Sequence, residues 1–245
     1  MVKSKNIVIG VIPARYKSTR LPGKPLLGIS GKPMIQQVYE HAKKSKYISD
    51  LIIATDDARI YKCVLGFGGK AVMTSGKHKS GTDRICEAVK KIKADIIVNI
   101  QGDEPFIDYK NIDKAIEPLL TDNNLNISTL AIKMMNNKEI ADPNKVKVVF
   151  DKSGNALYFS RSAVPYNRDN IKTDHFKHIG LYVYRKSFLM KYKNLKQTKL
   201  EVAEKLEQLR FLEHGVKIKV IITNKDSFSI DTGEDYRKYK NYKDN

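Results

Sequence analysis

Apolar residues fall along this chain in short, closely set runs separated by polar loops. Ile7-Val-Ile-Gly-Val-Ile-Pro13 is continuous and rich in β-branched residues, the texture of a strand covered on both faces of a parallel sheet. Met34 to Lys46 has helical spacing, and Leu51-Ile-Ile-Ala-Thr55 reads as a second buried strand ending at Asp56-Asp57, which completes a βαβ unit. The pattern repeats with a helix over Arg59 to Phe67 and a strand at Ala71 to Met73. Ser80-Gly-Thr82 then opens a helix expected to reach Lys93, with Asp83 in its first turn, and Ile96 to Ile100 is the next strand, ending at Gln101-Gly-Asp-Glu-Pro105. Strands alternating with helices predict an α/β fold: a Rossmann-like, mostly parallel central sheet flanked by helices, with a ligand crevice at the carboxyl ends of the strands.

The texture changes near Asn126. Ile127 to Lys133, Val146 to Phe150 and Ala156 to Ser160 read as strands, the last two joined through Asp151-Lys-Ser-Gly154 as a hairpin. This β-rich stretch is expected to be an insertion sharing the core of the main domain, since no repeat or low-complexity linker sets it apart. Helical spacing returns over Leu200 to Glu213, a strand follows at Ile218 to Ile222, and Gly233 to Tyr242 predicts a closing helix.

With 245 residues, 41% hydrophobic and 29% charged, the composition is that of a globular protein. No stretch approaches the about 18 consecutive apolar residues of a membrane span. The apolar run after Met1-Val-Lys-Ser-Lys5 is too short, and too soon followed by Arg15 and Lys17, for a signal peptide, so a soluble, cytoplasmic protein without membrane insertion is expected. Cys63 and Cys86 lack a CxxC partner or a His at ligand spacing, which argues for two core thiols rather than a disulfide or a zinc site. The net charge of +18 raises a nucleic-acid hypothesis. Scattered lysines without aromatic interleaving argue against it and for solvated helix faces.

Candidate chemistry gathers at the strand ends. The loop from Pro13 to Pro25 holds Arg15, Lys17, Arg20 and Lys24, four cations suited to holding a triphosphate. The spacing of a P-loop is absent from Gly28-Ile-Ser-Gly-Lys-Pro33 and Thr74-Ser-Gly-Lys77, and no G-x-G-x-x-G follows the first strand, which disfavours P-loop ATPases and dinucleotide-binding dehydrogenases. Asp103 at a strand end and Asp231 in Ile230-Asp-Thr-Gly-Glu-Asp235 could together hold Mg²⁺ against phosphate oxygens. A surface turn is the alternative for Gln101 to Pro105, and it loses ground because Asp231 is a second isolated acidic signal that also follows an extended segment.

Read in order, Ile12-Pro-Ala-Arg-Tyr16, Ser18 to Pro25, Gly31-Lys-Pro-Met-Ile35, Ala54-Thr-Asp56, Ser80-Gly-Thr-Asp-Arg84, Val98 to Pro105, Ala156-Leu-Tyr-Phe-Ser-Arg161, His178-Ile-Gly-Leu-Tyr182 and Leu206-Glu-Gln-Leu-Arg210 resemble the CMP-Kdo synthetases (3-deoxy-manno-octulosonate cytidylyltransferases) across nearly the whole chain. The resemblance implies a nucleotide-diphospho-sugar transferase fold. It implies one domain over 1–245 with a β-rich dimerisation insertion at about 126–185, CTP and Kdo as substrates, Mg²⁺, and a homodimer. By position, it implies that Arg15 and Lys24 act on the triphosphate, Ala14, Ser80 and Gly81 bind CTP, and Asp103 and Asp231 hold the metal. Gln101, Arg161, His178, Tyr182, Glu207 and Gln208 would form the sugar wall. A carboxylate-bearing sugar suits Arg161, and its hydroxyls suit the neutral groups. His178 is a general-base candidate by residue type alone, and a lone histidine is as often a binding or structural group.

The chain departs from the pattern at Val164-Pro-Tyr166, where Pro-Trp is common, and at Asp231-Thr-Gly233, where Asp-Thr-Pro is common. The second departure removes a rigid start for the closing helix. A related acid such as 8-amino-Kdo or a nonulosonate, and a non-catalytic nucleotide-binding protein, stay open at this level.

Overall fold

The computed structural model describes residues 6–17, 20–78, 80–169, 171, 173–191 and 194–242. Met1 to Lys5, and Ser18 and Thr19 of the basic loop, lie outside them. The chain divides into two compact units, 1–113 with 227–245, and 114–226.

The first unit opens with β1 (Val8–Ala14), a small hairpin of β2 (Gly28–Ile29) and β3 (Lys32–Pro33), and α1 (Met34–Ala42). There follow β4 (Asp50–Thr55), α2 (Ala58–Gly66), β5 (Lys70–Met73), α3 (Gly81–Ala88) and β6 (Ile96–Asn99). β1 lies between β4 and β6, and β5 lies outside β4, with every pairing parallel. Parallel strands separated by helices therefore bring the ends of β1, β4, β5 and β6 to one edge, and with them the loops that carry the candidate chemistry. Val11, Ile12, Ile53, Ile96, Ile97 and Val98 are fully enclosed, as apolar runs covered on both faces should be.

The helix expected to reach Lys93 ends at Ala88. Tight three-residue turns at Lys90 and Ile92 follow it. They return the chain to β1, where Asp95 donates its N–H to the Ile7 carbonyl and accepts the Ile7 N–H at 2.7 Å. Of the two thiols expected in the core, Cys86 is buried, whereas Cys63 is only half-buried on α2.

α4 (Tyr109–Thr121) carries the chain onward into the second unit, which contains β7 (Ile127–Lys133), α5 (Asn137–Ala141), β8 (Lys147–Phe150), β9 (Ala156–Ser160) and β10 (Phe176–Arg185). After these come α6 (Lys186–Leu189), α7 (Lys199–Glu204), α8 (Gln208–Glu213) and β11 (Lys219–Thr223). β7 lies between parallel β11 and antiparallel β10, and β8 pairs with β10 and β9. The β8–β9 hairpin turns at Gly154, whose φ of +75° suits glycine. β10, the longest strand, and α4 were not anticipated from the pattern. The single helix expected over 200–213 is two helices, because Lys205 takes the left-handed conformation (φ 51°, ψ 47°) and stops α7. α9 (Gly233–Tyr239) closes the chain within the first unit. No helix among the described residues is long and apolar enough to cross a membrane.

Candidate active site

At the carboxyl edge of the parallel strands, Lys24 follows the tight turn at Gly23 and is largely enclosed, its side chain 13% exposed. Its Nζ donates to Asp103 Oδ2 at 2.8 Å and to Asp231 Oδ1 at 2.9 Å. Arg20 adds a contact at 3.2 Å from Nη2 to Asp231 Oδ1. Two aspartates 128 positions apart thus converge on one ammonium group.

Local structure explains the convergence. Gly102 sits where a Cβ would fall 2.9 Å from the Pro13 carbonyl oxygen, so only glycine lets the loop after β6 lie against the end of β1. The Ile230 N–H donates to the Asp103 carbonyl at 2.9 Å, which pins the two acidic segments together. Ile230 is buried with Ile29 and Met34, flanked by Leu21, Phe106, Tyr236 and Tyr239. Thr232 caps α9 by accepting the Asp235 N–H at 3.1 Å, and the Asp235 carboxylate returns the bond to the Thr232 N–H at 2.8 Å. This capping box supplies the fixed helix start that Gly233 lacks.

Burial alone would lower the Lys24 pKa, but Asp103 and Asp231 outweigh it and the ammonium is held above its ordinary value. For Asp231, burial pushes the carboxyl upward; Lys24 and then Arg20 overcome it and hold the pKa below the ordinary value. Both groups are therefore charged at neutral pH.

Around this cluster, Ala14 is the buried last residue of β1 and Arg15 is exposed just beyond it. Ser80 caps α3, accepting the Asp83 N–H at 3.1 Å, with Gly81 exposed at the first helical position. Gln101 is half-buried and donates to Asn99 Oδ1 at 3.4 Å. Arg84 is buried and joins Thr74 Oγ1 at 2.5 Å and Asp56 Oδ2 at 2.9 Å, which ties α3 to the ends of β4 and β5. Neither Arg84 nor Asp56 signals this role in sequence, since only their meeting reveals it.

In the second unit, the His178 and Tyr182 rings lie with centroids 5.3 Å apart on β10, and Phe159 meets His178 edge-on. The Tyr182 hydroxyl is buried without a hydrogen-bond partner among the described residues. His178 Nε2 lies 2.9 Å from Thr129 Oγ1. Desolvation lowers its pKa to about 3, so the ring is neutral at physiological pH and too weakly basic for a general base. Arg161 directs Nε to the Glu204 carbonyl at 2.7 Å and Nη1 to the Pro143 carbonyl at 2.9 Å. Glu207 is half-buried before α8, and Gln208, its first residue, is buried. Thr129, wholly enclosed on β7, was not singled out by sequence; a threonine inside an apolar strand gives no signal of its own.

The sequence matches the profile of the cytidylyltransferase family over residues 9–218. The chain belongs to the cytidylyltransferase family. It is 50% identical over 235 residues to a 3-deoxy-manno-octulosonate cytidylyltransferase of Fusobacterium nucleatum, covering 96% of each chain. It is 48% identical over 242 residues to the same-named protein of Geobacter metallireducens, covering 94% of this chain and 95% of the relative. A solved structure of a CMP:2-keto-3-deoxy-manno-octonic acid synthetase complexed with CTP superposes with a TM-score of 0.92 at 43% identity, covering 96% of this chain and 97% of that one. The expected α/β fold is thus that of a cytidylyltransferase.

Proposed function

We propose that this cytidylyltransferase transfers CMP from CTP to Kdo, giving CMP-Kdo and pyrophosphate, for lipopolysaccharide biosynthesis. The observation that carries the reading is the convergence of Asp103 and Asp231 on Lys24 at the strand ends. The near-complete overlap with relatives of that name supports it.

In this reading the sugar's anomeric hydroxyl attacks the α-phosphorus in line. The new O–P bond forms as the bond from the α-phosphorus to the bridging oxygen breaks, pyrophosphate leaves, and the hydroxyl proton passes to solvent. Lys24 and Arg15 hold and neutralise the triphosphate, and the Ser80–Gly81 segment binds the nucleotide. Gln101, Arg161, His178, Tyr182, Glu207 and Gln208 orient the sugar, with His178 as a neutral hydrogen-bonding group rather than a base. Cytoplasmic placement goes with the CTP pool and with two free thiols.

Mg²⁺ suits the donor set. Asp103 and Asp231 supply two hard oxygen ligands that meet at the Lys24 ammonium nitrogen. That matches an ion completed by substrate phosphates and water. Bound between Asp103 and Asp231, it would supply charge neutralisation on the phosphates and lower the hydroxyl's pKa.

The test is pyrophosphate release with CTP, Kdo and Mg²⁺, beside controls lacking sugar or metal or offering ATP, GTP or UTP. Release that needs all three components is expected. Release only with 8-amino-Kdo or a nonulosonate would overturn the assignment of the sugar, and release from another nucleotide that of the donor.

A further inference from the structure

β10 carries an irregularity that shapes the His178–Tyr182 pair. Its antiparallel register against β7 runs Ile179 opposite Leu130 and then Tyr182 opposite Thr129, so Gly180 and Leu181 are extra residues on the β10 side. Bulges of this kind bend a strand and redirect the side chains around them. Thr129 lies at the centre of the bulge. Its Oγ1 is 2.8 Å from the Leu181 carbonyl oxygen, 3.2 Å from the Ile179 carbonyl oxygen and 2.9 Å from His178 Nε2.

Proton counting decides the direction of these bonds. A threonine hydroxyl has one proton and two lone pairs. Two carbonyl oxygens facing Oγ1 at hydrogen-bond distance would repel it unless that proton points toward them. The hydroxyl therefore donates to the bulge carbonyls and meets His178 with a lone pair, and Nε2 must carry the proton. With Thr129 fully enclosed, no water competes for the arrangement, and leaving any of these groups unpaired would be costly. A neutral ring protonated at Nε2 has an unprotonated Nδ1, which can only accept.

We propose that Thr129 is a positioning residue that locks His178 in its Nε2-protonated form, so that Nδ1 is presented as an acceptor to a hydroxyl of the sugar. The proposal rests on the reading of His178 as part of the sugar wall. One buried hydroxyl thereby stabilises the bulge that brings His178 beside Tyr182 and sets the hydrogen-bonding sense of the histidine. Desolvation, which keeps the ring neutral, works in the same direction.

The decisive measurement is long-range ¹⁵N–¹H correlation of the histidine rings in the free protein near pH 7, with His178 assigned by the signal lost in His178→Asn. A neutral ring protonated at Nε2 is expected. Thr129→Val, close in volume but without the hydroxyl, should lose this single tautomer. It should also raise KM for the sugar about tenfold, the loss of one well-placed hydrogen bond, while KM for CTP stays unchanged. Thr129→Ser should restore both. A wild-type ring protonated at Nδ1, a Thr129→Val protein that keeps tautomer or sugar KM, or a failure of Thr129→Ser to rescue would each overturn the assignment. If wild-type protein shows no turnover with Kdo, the functional reading fails instead, and the ring spectra still decide whether Thr129 sets the tautomer.

Discussion

At the scale of single residues, Lys24 stands between two carboxylates that would repel each other without it. Its side chain is only 13% exposed, and removing one partner of an enclosed ion pair costs more than removing a surface pair. Lys24→Met is expected to lower stability by about 2 kcal/mol, read by urea unfolding at neutral pH. Because the variant leaves Asp103 without the Lys24 ammonium and Asp231 with Arg20 alone, Mg²⁺ or Mn²⁺ should raise its melting temperature more than that of wild type. Equal shifts would remove the two aspartates from metal binding. Gly102→Ala tests the same site through the backbone. Its Cβ would press on the Pro13 carbonyl oxygen at 2.9 Å, so kcat should fall while stability drops by only about 1–2 kcal/mol. An unchanged kcat would mean that the approach of this loop to β1 does not matter. Lys24, Asp103 and Asp231 stood out in sequence by charge, the first in a basic loop, the second at the end of a buried strand and the third after an extended segment, and the structure brings the three together. The Ile230 to Asp103 backbone bond and the Thr129 hydroxyl did not stand out, since their roles exist only in three dimensions.

Elements read well where the pattern was strong and locally closed. β7 and β9 fall at the bounds expected from the sequence, and the first βαβ unit needed only apolar runs and punctuation. The reading weakened where tertiary contacts override spacing. α3 stops early so that Asp95 can reach Ile7, and β10 hides behind Gly180 and His178, which interrupt any regular alternation. Over 200–213, the helical spacing continues through Lys205, but an ion pair holds α7 and α8 folded on each other. Arg210 reaches Glu201 with Nε at 2.7 Å and Nη2 at 2.5 Å, the two side chains 14% and 7% exposed. Burial raises the Glu201 pKa, and Arg210 more than offsets that, leaving it below the ordinary value. A depressed carboxyl pKa contributes stability that is present above the unfolded value, about 4.3, and lost as pH falls through the folded one. Glu201→Gln is therefore expected to cost about 3 kcal/mol at pH 7, and the gap from wild type should narrow as pH falls below the glutamate range. A gap independent of pH would show that packing, rather than charge, joins the two helices.

For the whole molecule, several large apolar side chains of the second unit are exposed. β9 pairs with β8 alone among the named strands, the Ala156 N–H at its start donates to the Ile218 carbonyl, and Leu157 beyond it is 62% exposed. Tyr166 and Ile171, in the segment between β9 and β10, are 87% and 66% exposed. An exposed edge strand bearing a large apolar side chain invites pairing with another chain unless something covers it. All three residues lie within about 126–185, the stretch that resemblance assigns to dimerisation. Charge argues in parallel, because a net +18 disperses copies unless a specific apolar contact outweighs the repulsion. The expected outcome is a dimer of wild-type protein in analytical ultracentrifugation at physiological ionic strength, and a monomer for Leu157→Glu, which places a carboxylate where an apolar contact is needed. The variant's circular dichroism should match wild type, since the side chain is exposed within its own chain. A monomeric wild type would dismiss the homodimer, whereas a dimer that persists in Leu157→Glu would keep the assembly and move its contact away from β9.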